Sequence, residues 1–161
     1  MQRQPLVDVC FHDNVICCTF LSSQLSDRSD LRLIFVYLYQ CAQTHPGITM
    51  ILDLKKVDYI SSLFLKYLMQ LLKQTNLNKG NIVLAQVNDS VFEILELTQM
   101  DKKLSIHRVL DHENNPVTRL IERCGYDPDS HSTILGHFKS IVHHIHLPNL
   151  LHHRAAQTPL R

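Results

Sequence analysis

The chain has 161 residues, 45% of them hydrophobic, and carries 16 Lys plus Arg against 15 Asp plus Glu. That size suits one domain with an appendage, and the apolar fraction is enough to fill a core. Balanced charge without a basic run or a basic–aromatic repeat argues against a nucleic-acid partner, and no apolar stretch approaches the roughly 18–20 residues needed to insert across a membrane.

Met1 to Pro5 leads directly into Leu6-Val7-Asp8-Val9 without an apolar signal core, so a cytoplasmic protein is expected. Residues 6–11 and 15–20 are β-prone runs on either side of His12-Asp13-Asn14 and read as a hairpin. Adjacent Cys17 and Cys18 then face opposite sides of one strand. The five cysteines contain no Cys-x-x-Cys spacing and read as buried free thiols in a reducing compartment.

Residues 22–30 form a polar connection. Leu31, Ile34, Phe35, Leu38 and Cys41 recur at helical spacing, which predicts a helix over residues 29–44, ended by His45-Pro46-Gly47. Residues 48–54 are almost continuously apolar, as in a strand covered on both faces. A second helix is expected from Ser61 or Ser62 to about residue 75, with Leu65, Leu68, Met69 and Leu72 turned inward. After Asn78-Lys79-Gly80, residues 81–87 form another buried-type strand, expected beside 48–54. Asn88, Asp89 or Ser90 can cap the next helix, to about Thr98. Residues 104–109 predict a short strand, and Asn115-Pro116 opens a helix that ends near Cys124-Gly125. Alternating strands and helices imply an α/β fold with a mostly parallel mixed sheet packed against helices.

Residues 1–125 are thus expected to form the domain and residues 126–132 a linker. A C-terminal helix over residues 133–148 carries an apolar stripe of Ile134, Leu135, Phe138, Ile141, Val142 and Ile145, and residues 149–161 form a mobile, His-containing tail. The stripe suits packing on the domain or against a second copy, so a homo-oligomer is one expectation. Six of the eleven histidines fall between His137 and His153. Helical geometry separates His143 from His144 by about 100° and sets His137 and His144 about 10 Å apart along the axis, so no metal site is assigned.

Four scattered glycines supply neither a phosphate loop nor a dinucleotide loop, and no nucleophile–base constellation stands out, so no catalytic residue and no cofactor is assigned. Asp53 and Asp58 flank the end of the third strand, where capping or solvation is the expected role. Ser61 and Ser62 follow a buried strand and open an apolar helix at the carboxyl edge of the sheet, where α/β proteins place functional loops. The N–H groups at that helix start would favour a phosphate on either serine.

Ile51-Leu-Asp-Leu-Lys-Lys-Val-Asp-Tyr-Ile-Ser-Ser-Leu-Phe-Leu65 resembles the signature of the STAS family, the anti-sigma factor antagonist domains. Asp53, Leu54, Val57, Ile60, Ser62 and Leu65 match its pattern, and residues 81–87 and 91–104 resemble its next strand, helix and turn. The resemblance implies a regulatory protein–protein interaction domain, not an enzyme. Its partner would be an anti-sigma factor or a related serine kinase, its phosphoacceptor Ser62, and its interaction loop Asp58, Tyr59, Ser61, Ser62, Leu63 and Phe64. Ser61 stands where the family usually has Asp, and Phe64 where it has Gly, placing bulk where a kinase would approach. These departures leave open a scaffold subunit that is not phosphorylated, and some relatives suggest instead a small-molecule or lipid-binding module.

Overall fold

The computed structural model of the chain describes residues 6–108. The expected helices at 115–124 and 133–148, the linker between them and the tail lie outside the described residues.

Strands β1 (Val7–His12) and β2 (Val15–Phe20) form the expected antiparallel hairpin, with Asp13 in the left-handed region at its turn. Helix α1 (Arg28–Thr44) follows, capped by the Asp27 carboxylate, which accepts from the Asp30 N–H at 3.0 Å. Strand β4 (Thr49–Asp53) pairs in parallel with β2 on one side. On its other side it pairs with β6 (Asn81–Val87). Helix α2 (Ser62–Leu77) connects β4 to β6, and α3 (Asp89–Leu97) leads through a single 3₁₀ turn to β7 (Ser105–Arg108). The five-stranded sheet runs β1-β2-β4-β6-β7, antiparallel only at the first pair. Strands 48–54 and 81–87 are neighbours, as their apolar runs predict.

Two short strands were not legible beforehand. Gln24–Leu25 (β3) lies in the polar connection, and Tyr59–Ile60 (β5) lies just ahead of α2; they pair in parallel with each other. A two-residue strand has no period to read, and only its partner defines it.

Strand alternation divides the interior. Ile16, Cys18, Phe20, Met50, Leu52, Ile82 and Leu84 point towards the helices and join the buried side chains of α1, α2 and α3 in one large cluster. Cys17, Ile51, Val83 and Ala85 form a second cluster on the opposite face. The adjacent cysteines thus face opposite ways, as expected, and Cys18 and Cys41 are free thiols. Burial raises the thiol pKa of Cys18 and pushes that of Cys41 up to about 11, which keeps both unreactive.

The inward stripe of α2 needs correction. Its buried residues are Phe64, Leu68, Leu71, Leu72 and Thr75, whereas Leu65 is half-buried and Met69 exposed. The helix is rotated by about one residue from the expected setting, because Phe64 offers more apolar surface than Leu65 and takes the core position. Its ring makes edge-to-face contacts with Phe20 and Phe35, at 5.8 and 5.4 Å between centroids.

Candidate functional site

The loop from β4 to α2 starts at Asp53, the last residue of its strand. Asp53 is not a solvated cap: it is 1% exposed. Its carboxylate accepts from the Lys55 N–H at 3.0 Å and from the Gln86 side-chain amide at 3.3 Å. Desolvation raises its pKa from the ordinary value, against the lowering effects of the Lys55 N–H and the nearby lysines. Asp58, in contrast, is exposed as expected.

Between these acids the loop is tied down at every turn. The Leu54 N–H donates to the Ala85 carbonyl at 2.9 Å, and the Val57 N–H donates to the Leu54 carbonyl at 3.0 Å. Val57 is fully buried and plugs the loop into the core. The Asp58 and Tyr59 N–H groups both donate to the Ser23 carbonyl, at 2.8 and 3.1 Å, and the Ser61 N–H to that of Leu25 at 3.1 Å. From the other side, the Asn88 amide donates to the Val57 carbonyl at 2.7 Å while its oxygen accepts from the Val91 N–H at 2.9 Å. One side chain therefore caps α3 and anchors the loop.

The two serines separate into different roles. Ser61 is the N-cap of α2, its hydroxyl accepting from the Phe64 N–H at 3.2 Å. Ser62 occupies the first helical position and is exposed. Lys66, one turn further on and also exposed, shares its helix face. Tyr59 presents a ring that is 48% exposed, and Leu63 is half-buried. Phe64 is the member of the expected interaction loop that must be withdrawn from the surface. It is fully buried, so its bulk does not face an approaching partner. A glycine-to-phenylalanine departure in a surface motif gives no hint of this, because the direction of the side chain depends on where the helix begins.

Among the described residues, no three His, Cys, Asp or Glu side chains gather to hold a metal, and no helix is long and apolar enough to cross a membrane. An open groove of about 310 Å³ between α1 and α2, lined by Phe35, Tyr39, Tyr67 and Leu71 among others, includes none of the loop residues. What the loop presents is a fixed, exposed surface rather than a convergent set of reacting groups.

The family model for the STAS domain matches residues 31–113, more than half of the chain. The chain belongs to the STAS domain family. Among solved structures, it is similar to a candidate anti-sigma factor antagonist from Thermotoga maritima, at 17% identity and a TM-score of 0.56, over 74% of this chain and 95% of that one. It is also similar to an anti-sigma-factor antagonist (STAS) domain protein from Planctomyces limnophilus, at 18% identity and a TM-score of 0.58, over 66% and 92%. The anti-sigma factor antagonist SpoIIAA in its unphosphorylated form is similar at 10% identity and a TM-score of 0.54, over 73% and 96%. At these identities the likeness is one of fold. A comparison with curated proteins found no match. STAS domains are regulatory and scaffolding modules rather than enzymes.

Proposed function

We propose that this domain acts as an anti-sigma factor antagonist, binding an anti-sigma factor or related serine kinase through Asp58, Tyr59, Ser61, Ser62 and Leu63, and that phosphorylation of Ser62 switches the binding. The observation that carries this reading is the division of labour between the serines. Ser61 spends its hydroxyl on the helix cap, whereas Ser62 is exposed at the first helical position. Burial of Phe64 supports it further, since that departure from the family pattern leaves the approach to Ser62 unencumbered.

In the reaction, the Ser62 oxygen forms a bond to the γ-phosphorus of ATP as the β–γ bridging bond breaks. ADP leaves and the hydroxyl proton passes to a base of the kinase. The product phosphate would lie at the positive end of α2, one turn from Lys66. It would add about −1.5 to −2 charges to a surface that a partner has to desolvate.

The test is incubation of the purified chain with the candidate kinase and ATP, followed by site mapping and binding measurements. Phosphate should appear on Ser62 and be absent from S62A. Binding should be retained by S62A and weakened by S62D. Phosphate on Ser61 instead, or equal binding by all three proteins, would overturn the switch. Loss of binding on Tyr59→Ala without any phosphorylation would leave a docking surface of the scaffold kind.

A further inference from the structure

We infer that the groove between α1 and α2 binds a single-chain carboxylate, an alkyl acid whose head meets Arg32 and whose chain lies along the helices. Arg32, Phe35, Val36, Tyr39, Gln40 and Gln43 line one wall; their spacing of three and four residues makes them one stripe along α1. Tyr67, Gln70 and Leu71 line the other wall from α2. The floor is preformed. Phe35 and Leu71 are buried, and the Phe35 ring stacks on that of Tyr67 at 5.6 Å with 28° between their planes. Phe64 meets Phe35 edge to face and fixes that ring from the core side.

Dimensions select a chain as the occupant. The stripe from Arg32 to Gln43 rises about 16.5 Å along the helix axis. A volume of about 310 Å³ spread over that length leaves a mean cross-section of about 19 Å². An α-helix with its side chains is about 10–12 Å across, and a β-strand occupies about 4.8 Å by about 10 Å. Both are several times too thick, whereas one alkyl chain has the required slenderness. The aromatic and aliphatic middle of the groove suits such a chain.

Charge selects the head group. Arg32 is the one charged side chain of the lining, with no Asp or Glu beside it, and it makes no ion pair among the described residues. Its guanidinium fork matches the two oxygens of a carboxylate. Arg32 stands near the start of α1, so the positive charge is confined to one end of the groove. The other end holds the neutral amides of Gln40 and Gln43. There the Gln40 side-chain oxygen is buried without a hydrogen-bond partner. That arrangement disfavours the empty groove, and an arriving chain relieves it by turning the amide out to water. None of the loop residues takes part, so the site stands or falls separately from the Ser62 switch.

The experiment is titration of the full chain with decanoate, and with its uncharged counterpart decanol, read by calorimetry and by amide NMR shifts. One equivalent of decanoate should bind, with the largest shifts at Val36, Tyr39 and Gln70. Arg32→Gln should weaken decanoate at least tenfold and leave decanol unchanged. Lys73→Gln, an equal loss of charge at an exposed position outside the lining, should alter neither. Val36→Trp should fill the groove and abolish binding of both. If that variant unfolds, Tyr39→Ala, at an exposed position, should still weaken both at least threefold. Uptake of several equivalents, or equal affinity of the wild type and Arg32→Gln for decanoate, would mean detergent-like adsorption and overturn the site. Shifts confined to residues 53–64 would overturn it too. So would a failure of decanoate to bind, whether Tyr39→Ala then disperses a dimer, marking the groove as a contact between copies, or leaves the chain unchanged.

Discussion

The side-chain amide of Gln86 reaches the Asp53 carboxylate at 3.3 Å from a backbone held at φ 54°. Gln86 sits where the register between β6 and β7 shifts, and the left-handed conformation costs a non-glycine residue about 1–2 kcal/mol. The bulge brings a donor to a buried acid that the regular ladder leaves beside Ala85. Local strain is thus accepted in exchange for partial satisfaction of the carboxylate on which the interaction loop begins.

Burial of Asp53 predicts a particular pH dependence. Its folded-state pKa lies above the unfolded value, so between the two the native state binds more protons. The contribution of this group to stability is therefore most favourable at low pH and falls as pH rises through the raised pKa. Asp53→Asn keeps an oxygen for the Lys55 N–H, and the Gln86 amide can rotate to accept. Urea unfolding from pH 4 to 8 should show the variant gaining on the wild type as pH rises. A constant difference across that range would contradict the assignment.

The two serines should differ in stability as they do in geometry. Ser61→Ala removes the cap of α2 and should cost about 0.5–2 kcal/mol. Ser62→Ala, at an exposed first-turn position, should stay within about 0.5 kcal/mol of the wild type. Denaturant midpoints at constant m-value measure both.

Asn88→Ala should cost more than Ser61→Ala, because it deletes a cap and also orphans the Val57 carbonyl, at about 1–3 kcal/mol for an unsatisfied buried acceptor. Asn88→Asp keeps the cap but not the donor and should recover only part of the loss. Faster hydrogen exchange at the Asp58 and Tyr59 amides in both variants would show that the loop has loosened; unchanged exchange would refute the anchoring role.

A side chain at Gly80 has no room. A Cβ there would lie 2.6 Å from the Ile48 carbonyl oxygen and 2.7 Å from a Thr75 methyl. Since the first of these is backbone, Gly80→Ala should destabilise the domain by about 1–3 kcal/mol, measurable by thermal or denaturant unfolding.

Much of this architecture was legible because it is periodic. The stripe Leu31, Ile34, Phe35, Leu38 defined α1, and the apolar runs at 48–54 and 81–87 announced central strands that proved to be neighbours. The site was legible only in outline. Ser62 could be placed at a helix start, but the assignment of the cap to Ser61 depends on a hydroxyl direction that spacing does not encode. Burial of Phe64 depends on helix rotation. The parallel pairing of Tyr59–Ile60 with Gln24–Leu25 joins segments far apart in sequence, neither long enough to carry a pattern.

The loop ahead of Ser62 is held by Ser23 and Leu25 on one flank and by Asn88 on the other. A segment fastened at both flanks has already lost its conformational freedom before any partner arrives. Little of the free energy of association then has to be diverted into ordering this side of the contact. The surface behaves as a mould cast in advance: it rewards partners that already match its contour and offers little accommodation to those that do not. Selectivity of this kind comes from stiffness as well as from the identity of the exposed side chains.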